Sequence, residues 1–137
     1  MLGKRKIRKN VFELLFGYEF NKEEGAVDYY NTAFDNFVCE DDENESVKKI
    51  FLGVCENISA IDEVIAKHLS GWKINRLSKA TVTIMRISTY EMIYADLAPA
   101  ISINEAVEFA KEYGEDGASS FVNGVLNNLA KELKNNG

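Results

Sequence analysis

The chain is poor in the residues that build metal centres. Its 137 residues include one histidine and two cysteines. Because a zinc site of the Cys/His type needs about four such ligands, His68, Cys39 and Cys55 cannot assemble one. We interpret both cysteines as reduced, small apolar residues of a cytosolic protein, although the pattern also permits a disulfide between them.

The sequence motifs of the common enzyme classes are missing too. There is no glycine-rich phosphate loop, no nucleophile elbow and no H-E-x-x-H segment. His68 has no recognisable serine or cysteine partner, and the many carboxylates fall on predicted exposed helix faces or loops. We therefore predict a binding protein rather than an enzyme, with no cofactor and no metal.

Long apolar stretches are also absent, and none approaches the roughly 18 residues that a membrane span requires. The basic start, followed by an apolar run, has the outline of a signal peptide. However, Glu13 and Glu19 interrupt that run, and no small-residue cleavage site follows it. We expect a cytoplasmic protein that does not bind a membrane.

What the chain does have is an uneven distribution of charge. Its formal net charge is −6, yet no acid occurs in the first ten residues, which carry five cations: Lys4, Arg5, Lys6, Arg8 and Lys9. A cationic segment on an anionic body indicates a partner of opposite charge, because like charges held close repel one another.

The first twenty residues form an amphipathic helix when they are placed at about 100° per residue. The predicted core stripe is Ile7, Val11, Leu14, Leu15 and Tyr18. A second face carries Arg5, Arg8, Lys9, Phe12 and Phe16. Cations suit phosphates and exposed rings suit unstacked bases, so this face predicts binding of single-stranded RNA. The alternative is that both phenylalanines are core contacts and the cations only a solvated helix start; Phe12 stays undecided.

Apolar spacing along the rest of the chain predicts an all-α protein of one domain, because no segment alternates with period two. The predicted helices cover residues 26–39, 46–69, 79–95, 102–113 and about 121–133. An acidic loop is predicted at 40–45, and Pro99 is expected to stop and re-aim the chain before a capping box over 102–105.

Three residues carry separate expectations. Residues 72–77 read as a short helical turn, in which Trp72 plugs a junction between helical layers. Arg86 lies in an apolar helix and is expected to pair with Glu91, Glu105 or a helix C-terminus. Gly124 in mid-helix indicates a close backbone approach.

Three blocks of residues together resemble the NusB transcription antitermination family. The first is Arg86-Ile87-x-x-Tyr90-Glu91, followed by Pro99; the second is Ile103-Asn104-Glu105-Ala106-Val107; and the third is Phe121-Val122-Asn123-Gly124-Val125-Leu126. The basic start, Leu15-Phe16 and Trp72-x-x-x-Arg76-Leu77 fit the same pattern, so that the resemblance covers essentially the whole chain.

The resemblance implies about seven helices, in an N-terminal three-helix bundle and a C-terminal four-helix bundle, with subdomains at about residues 1–70 and 71–137. It implies an antitermination factor that binds boxA-type single-stranded RNA together with the ribosomal protein NusE. With the transcription elongation complex, such a factor supports processive transcription of ribosomal RNA operons.

The resemblance also implies the RNA-binding residues, which are Lys4, Arg5, Arg8, Lys9, Phe16, Ser119, Ser120, Phe121 and Asn123. Phe16 stands where the family commonly has tyrosine, so it keeps stacking but loses a hydroxyl. Gly117 stands where some relatives carry an acid or another polar group. The NusE contact is assigned loosely to residues 72–91, and the acidic body is expected to attract a basic partner.

Two alternatives remain at this point. The same fold resembles the N-terminal module of certain ribosomal-RNA cytosine methyltransferases, and this chain carries no catalytic domain up to Gly137. The acidic body also fits a purely protein-interacting helical bundle. Neither the oligomeric state nor the preferred RNA sequence follows from these residues.

Overall fold

Seven α-helices build the described part of the protein. The computed structural model describes residues 2–33 and 41–136, with side chains for residues 5–33 and 45–135. The helices are α1 Leu2–Tyr18, α2 Ala26–Ala33, α3 Asp41–Glu56, α4 Ile58–Ala66, α5 Lys79–Tyr94, α6 Pro99–Tyr113 and α7 Ala118–Asn136. Short 3-10 turns occur at Lys22–Glu24 and Ile74–Arg76. These ranges contain no β-strand, so the all-α prediction is confirmed.

The chain divides into two compact units, residues 1–56 and 57–137. The first contains α1 to α3 and the second α4 to α7, which agrees with the three-helix and four-helix division that the resemblance implied. The division falls between Glu56 and Asn57, earlier than the boundary near residue 70 that we expected.

The single helix predicted over residues 46–69 is wrong, because Asn57 separates α3 from α4. Its φ of −111° and ψ of 16° leave the helical region. The apolar spacing runs on through the break, from buried Val54 to buried Ile61. Periodicity alone therefore could not detect it, although asparagine is a residue that competes with helical hydrogen bonding.

Helices α1 and α3 form the core of the first unit, with α2 packed against both. Val11 and Leu14 of α1 are buried, as predicted, and Phe12 is buried as well, at 5% exposure. The ring of Phe51 lies 5.8 Å from the ring of Tyr18 and 6.3 Å from that of Tyr29. A Cβ at Gly17 would collide with the Tyr29 hydroxyl, so this glycine permits the close approach of α2.

The predicted acidic loop is wrong over residues 41–45, which form the first turns of α3. Acidic residues are favourable there because the helix N-terminus carries a partial positive charge. Residues 34–40, which include Cys39, Glu40 and the end of the predicted second helix, lie outside the described residues.

Helix α5 is the centre of the second unit, and α4, α6 and α7 all contact it. Its residues 81–85 and 87–91 are buried, as expected of a helix surrounded by others. Ser78 caps it by accepting a hydrogen bond from the Thr81 N–H at 3.2 Å.

Buried polar side chains join α5 to α6. The hydroxyl oxygens of Ser88 and Ser102 lie 2.7 Å apart, and Ser102 Oγ donates to Glu91 Oε1 at 3.0 Å. All three residues are buried. The chain of hydrogen bonds therefore satisfies polar groups that would otherwise be costly inside a core.

The predicted start of α6 is wrong by three residues. Pro99 begins the helix instead of stopping the chain before it, because proline is well suited to the first helical position. Ser102 is therefore not an N-cap but a buried residue of the first turn. The predicted turn between α6 and α7 is confirmed, and Gly117 takes a φ of 85° there.

Two further expectations are wrong. Trp72 does not fill a junction between helical layers, because it is 60% exposed. Gly124 is exposed, and a Cβ added to it would have no neighbour within 4 Å, so no close backbone approach within the chain explains this glycine.

The pairing of Arg86 is confirmed, with Asp62 of α4 as a partner that the sequence had not indicated. Arg86 Nε and Nη2 donate to the two carboxylate oxygens of Asp62, each at 2.8 Å. His68 is half-buried, with Nε2 3.4 Å from Glu132 Oε1, which fits a packing role.

Candidate nucleic-acid interface

Two cations of α1, Lys4 and Arg5, occupy its first turn, where positive charge is least favourable. The first turn has no acidic residue and the last turn no basic one. Since a helix N-terminus carries a partial positive charge, each cation near it costs a few tenths of a kcal/mol up to about 1 kcal/mol. This arrangement opposes helix stability, and an anionic ligand would offset the cost.

The cations of α1 differ in exposure. Arg5, Lys6 and Lys9 are exposed, so they are available to a ligand. Arg8 is only 7% exposed, and the expectation that it faces outward is wrong; its contact with RNA stays a prediction. The side chain of Lys4 lies outside the described residues.

A row of three phenylalanines follows the cations. Phe12 and Phe16 stack with ring centroids 5.8 Å apart, and Phe16 meets Phe20 edge-on at 5.4 Å. Exposure rises along the row, from buried Phe12 through half-buried Phe16 to Phe20 at 64%. Our sequence reasoning missed Phe20, although its spacing of four residues from Phe16 was the available signal.

We call the accessible set Arg5, Lys9, Phe16 and Phe20 the α1 face. Positions 5, 9 and 16 fall within a narrow arc of the helix, since residues advance by about 100° each. This surface offers cations for phosphates and aromatic rings on which bases can stack. We expected Phe16 to face outward, and the structure places it half-buried, so that only part of its ring is accessible.

The second predicted set lies at the start of α7. Ser120 and Asn123 are exposed, whereas Ser119 and Phe121 are half-buried. Asn127 is exposed one turn further on, and its Nδ2 donates to Asn123 O at 2.8 Å and Asn123 Oδ1 at 3.0 Å. Together with Gly124, where an added Cβ would meet no atom of the other described residues within 4 Å, these residues form an uncharged polar surface. We call Ser120, Asn123, Gly124 and Asn127 the α7 face.

Two carboxylates stand immediately before α7. Glu115 and Asp116 are both exposed, and Glu115 Oε1 accepts a hydrogen bond from Thr81 Oγ1 at 3.4 Å. Amide groups of a helix N-terminus favour phosphate, but these acids oppose it. The α7 face is therefore better suited to hydrogen bonding with bases or sugars than to phosphate binding.

The α1 face belongs to the first unit and the α7 face to the second, so each is described as a surface of its own unit.

Among the residues described, no three His, Cys, Asp or Glu side chains are grouped so as to hold a metal ion. The described helices also include none that is long and apolar enough to cross a membrane.

The family model described as "NusB family" matches residues 5–131. The chain belongs to the NusB family. The matched range includes both the α1 face and the α7 face.

Curated relatives in the NusB family match along nearly the full chain. The transcription antitermination protein NusB of Nitratiruptor sp. is 37% identical over 135 residues, which are 98% of this chain and 96% of that protein. The protein of the same name from Clostridium novyi is 39% identical over 137 residues, covering 95% of this chain and 99% of the relative.

Solved structures of NusB proteins share the fold. T. maritima NusB superposes with a TM-score of 0.85 at 34% identity, over 93% of this chain and 90% of that one. A crystal structure of the antitermination factors NusB and NusE in complex with double-stranded RNA matches with a TM-score of 0.83 at 26% identity, over 96% and 98% of the two chains.

Proposed function

We propose that this protein is an RNA-binding transcription antitermination factor of the bacterial elongation complex. In this proposal it binds boxA-type RNA together with NusE, and it supports processive transcription of ribosomal RNA operons. It acts in the cytoplasm by binding and performs no catalysis. The relatives named transcription antitermination protein NusB, and the NusB and NusE complex with RNA, support this function.

The observation that carries the proposal is the α1 face. Arg5 and Lys9 are exposed, Arg5 in the first turn of α1 where the helix dipole opposes a cation, and Phe16 and Phe20 present rings further along the chain. Phosphates would neutralise the cations, and unpaired bases would stack on the rings. Because stacking needs unpaired bases, this surface favours single-stranded over double-stranded RNA.

We also propose that the remaining predicted residues contact RNA. Lys4 and Arg8 would add positive potential on α1, and Ser119, Ser120, Phe121 and Asn123 would meet bases or sugars on α7. Gly124 supports this second contact, because an exposed mid-helix glycine without a neighbour leaves room for a ligand backbone.

The NusE contact is proposed for residues 72–91. Within that range α5 is largely buried from Thr81 to Glu91, while Trp72, Lys73, Arg76 and Lys79 are exposed. The accessible part of the region is cationic, so a basic partner that docks there would also have to engage carboxylates of the acidic body outside this range.

The proposal is tested by fluorescence anisotropy with a labelled boxA-type RNA, alone and with NusE. If about four phosphates are neutralised, the logarithm of the affinity falls against the logarithm of salt concentration with a slope near −3. Arg5→Ala with Lys9→Ala should reduce that slope by about 1.4. Phe16→Ala should weaken binding roughly fivefold or more, while Phe16→Tyr should retain it.

The matched control is Lys49→Ala with Lys111→Ala, which removes two exposed cations, one of α3 and one of α6, that belong to neither face. It should change the affinity little. Equal losses in the two double variants would mean that only net charge matters, and would refute the placement on α1. Failure of the parent protein to bind any RNA at low salt would favour the purely protein-interacting bundle.

A further inference from the structure

A groove runs between α6 and α7 within the second unit. Its volume is about 750 Å³, which falls inside the range of about 300–1,000 Å³ that is usual for pockets that bind small ligands. On each helix the lining positions are three or four residues apart, so they share one face of that helix. We call this groove the α6–α7 groove, and its central lining residues are Ile103, Asn104, Val107, Asn127, Ala130 and Lys131.

The loop between α5 and α6 also lines the groove. Asp96 has a positive φ of 52°, which is uncommon for a residue other than glycine. The next N–H in the chain, that of Leu97, donates to Glu91 O at 3.0 Å, so the loop is fastened to the end of α5. Leu97 lines the groove with Ile103 and Val107, and these three side chains give it an apolar lining.

Two carboxamides of α7 offer a fixed pair of hydrogen-bonding groups to the groove. Asn127 Nδ2 donates to Asn123 O at 2.8 Å and to Asn123 Oδ1 at 3.0 Å. Because a backbone carbonyl can only accept, this contact sets the orientation of the Asn127 amide. Asn123 Nδ2 remains as a donor and Asn127 Oδ1 as an acceptor, and both residues line the groove. The edge of an unpaired base presents the complementary acceptor and donor.

The groove also carries positive charge. Two lysines, Lys131 and Lys134, line it with one acid, Asp96, although the net charge of the protein is −6. Among the described side chains, no carboxylate lies in ion-pair distance of either lysine. Lys134 stands in the last turn of α7, where the helix dipole favours a cation. Lys131 precedes that turn, so the dipole does not account for it, and its ammonium group is available to an anion.

We propose that the α6–α7 groove holds one unpaired nucleotide of the bound RNA. The base lies against the apolar lining and hydrogen-bonds to Asn123 and Asn127, while Lys131 binds the phosphate. Because Asn123 and Asn127 also belong to the α7 face, RNA is favoured here over a peptide. This inference rests on the proposed RNA-binding function and deepens it by naming a subsite for a single nucleotide. The subsite lies entirely within the second unit.

The test is a scan of the RNA with abasic residues. A labelled boxA-type RNA is prepared with one base removed at a time, and its affinity for the full chain is measured by anisotropy. Removing the base that the groove holds should weaken binding roughly fivefold to tenfold, because a hydrogen bond and apolar contacts are lost. In Asn127→Ala the same removal should cost less than about twofold, whereas removals at other positions should keep their full effect.

Two further variants separate filling of the groove from loss of charge. Ala130→Leu fills the groove without removing a hydrogen-bonding group, and it should weaken binding roughly fivefold. Ala60→Leu makes the same exchange at an exposed position of α4 and should leave the affinity unchanged. Lys131→Ala should lower the salt slope by about 0.7. Its matched control is Lys49→Ala, which removes an exposed lysine of α3 and should leave the slope unchanged.

The outcomes distinguish this inference from the function on which it rests. If every base removal has the same effect in Asn127→Ala as in the parent protein, the groove holds no base, and the proposed function stands. If the groove variants bind purified NusE more weakly but keep their RNA affinity, the groove is a protein contact and the inference is likewise refuted. If the parent protein binds no RNA at low salt, the proposed function fails, and the inference fails with it.

Discussion

Removing the carboxylate of Asp62 should destabilise the protein without weakening RNA binding. Arg86 holds both oxygens of Asp62 at 2.8 Å, and the two side chains are 11% and 25% exposed. Breaking a fully buried pair costs about 3–5 kcal/mol, whereas an exposed pair contributes about 0–1 kcal/mol. This half-buried pair lies between those limits, and we expect Asp62→Ala to lower the free energy of unfolding by about 2 kcal/mol.

The measurement is urea unfolding followed by circular dichroism, with RNA affinity determined on the same preparations. In thermal unfolding of the same variant, Tm should fall by about 6 °C, because 1 kcal/mol corresponds to roughly 3 °C for a chain of this size. Glu63→Ala is the matched control, because it removes an exposed carboxylate from the same helix. It should change the stability by less than about 0.5 kcal/mol.

A double-mutant cycle with Arg86→Met isolates the pair. Methionine keeps the apolar stem and removes the charge, so that the combined variant should be more stable than the sum of the single losses predicts, by about 1–2 kcal/mol. An additive cycle would show that the two groups do not stabilise one another. Weaker RNA binding by Arg86→Met at unchanged stability would make Arg86 a ligand residue and refute its structural role.

Three other substitutions test separate features of the structure. The hydroxyl of Thr89 is buried without a hydrogen-bond partner among the described residues, so Thr89→Val should stabilise the protein by about 1 kcal/mol in urea unfolding; a loss of that size would reveal a missing partner. Gly124→Ala places a methyl group in open space and should raise stability by about 0.5–1 kcal/mol, while weakening RNA binding if a ligand backbone passes there. Burial raises the pKa of Tyr18 and Tyr29 above 10.0, so their contribution to stability is complete below pH 10 and declines as pH rises through the folded-state pKa. The urea midpoint should accordingly fall above pH 10, and less steeply in Tyr29→Phe.

Helical periodicity predicted burial wherever one face of a helix meets the core. Val11 and Leu14 of α1 and Phe51 of α3 follow that rule and are buried. Phe12 lies at the edge of the stripe, where periodicity gives no answer, and stacking on Phe16 accompanies its burial. Helical periodicity also could not predict the burial of Arg8, because that burial depends on which residues pack over the edge of the helix.

The errors occurred where the backbone, and not the apolar pattern, decides the outcome. The predicted helix over residues 46–69 is followed by Ser70 and Gly71, whose positive φ angles the apolar pattern could not indicate. Asn57 interrupts a helix whose apolar spacing continues on both sides. Pro99 marked a helix boundary, and only the structure showed that the boundary was a beginning.

The sequence predicted which residues form the candidate site, but it did not predict how exposed their side chains are. The cations of α1 and the residues at the start of α7 were named from the sequence and the family resemblance. The exposure of Phe20 and of Trp72 was missed because exposed aromatic residues look like core residues in a sequence. Side-chain accessibility decides which residues a ligand can contact, and only the folded structure shows it.

The hydrogen-bonded chain from Ser88 through Ser102 to Glu91 restricts how the protein can evolve. Losing one member strands a buried polar group at about 1–3 kcal/mol, and Glu91 has further contacts that a replacement must also satisfy. Lineages that leave this arrangement must therefore change α5 and α6 together. Substitutions at these three positions should be inherited as a set, even though a loop and a proline separate them in the sequence.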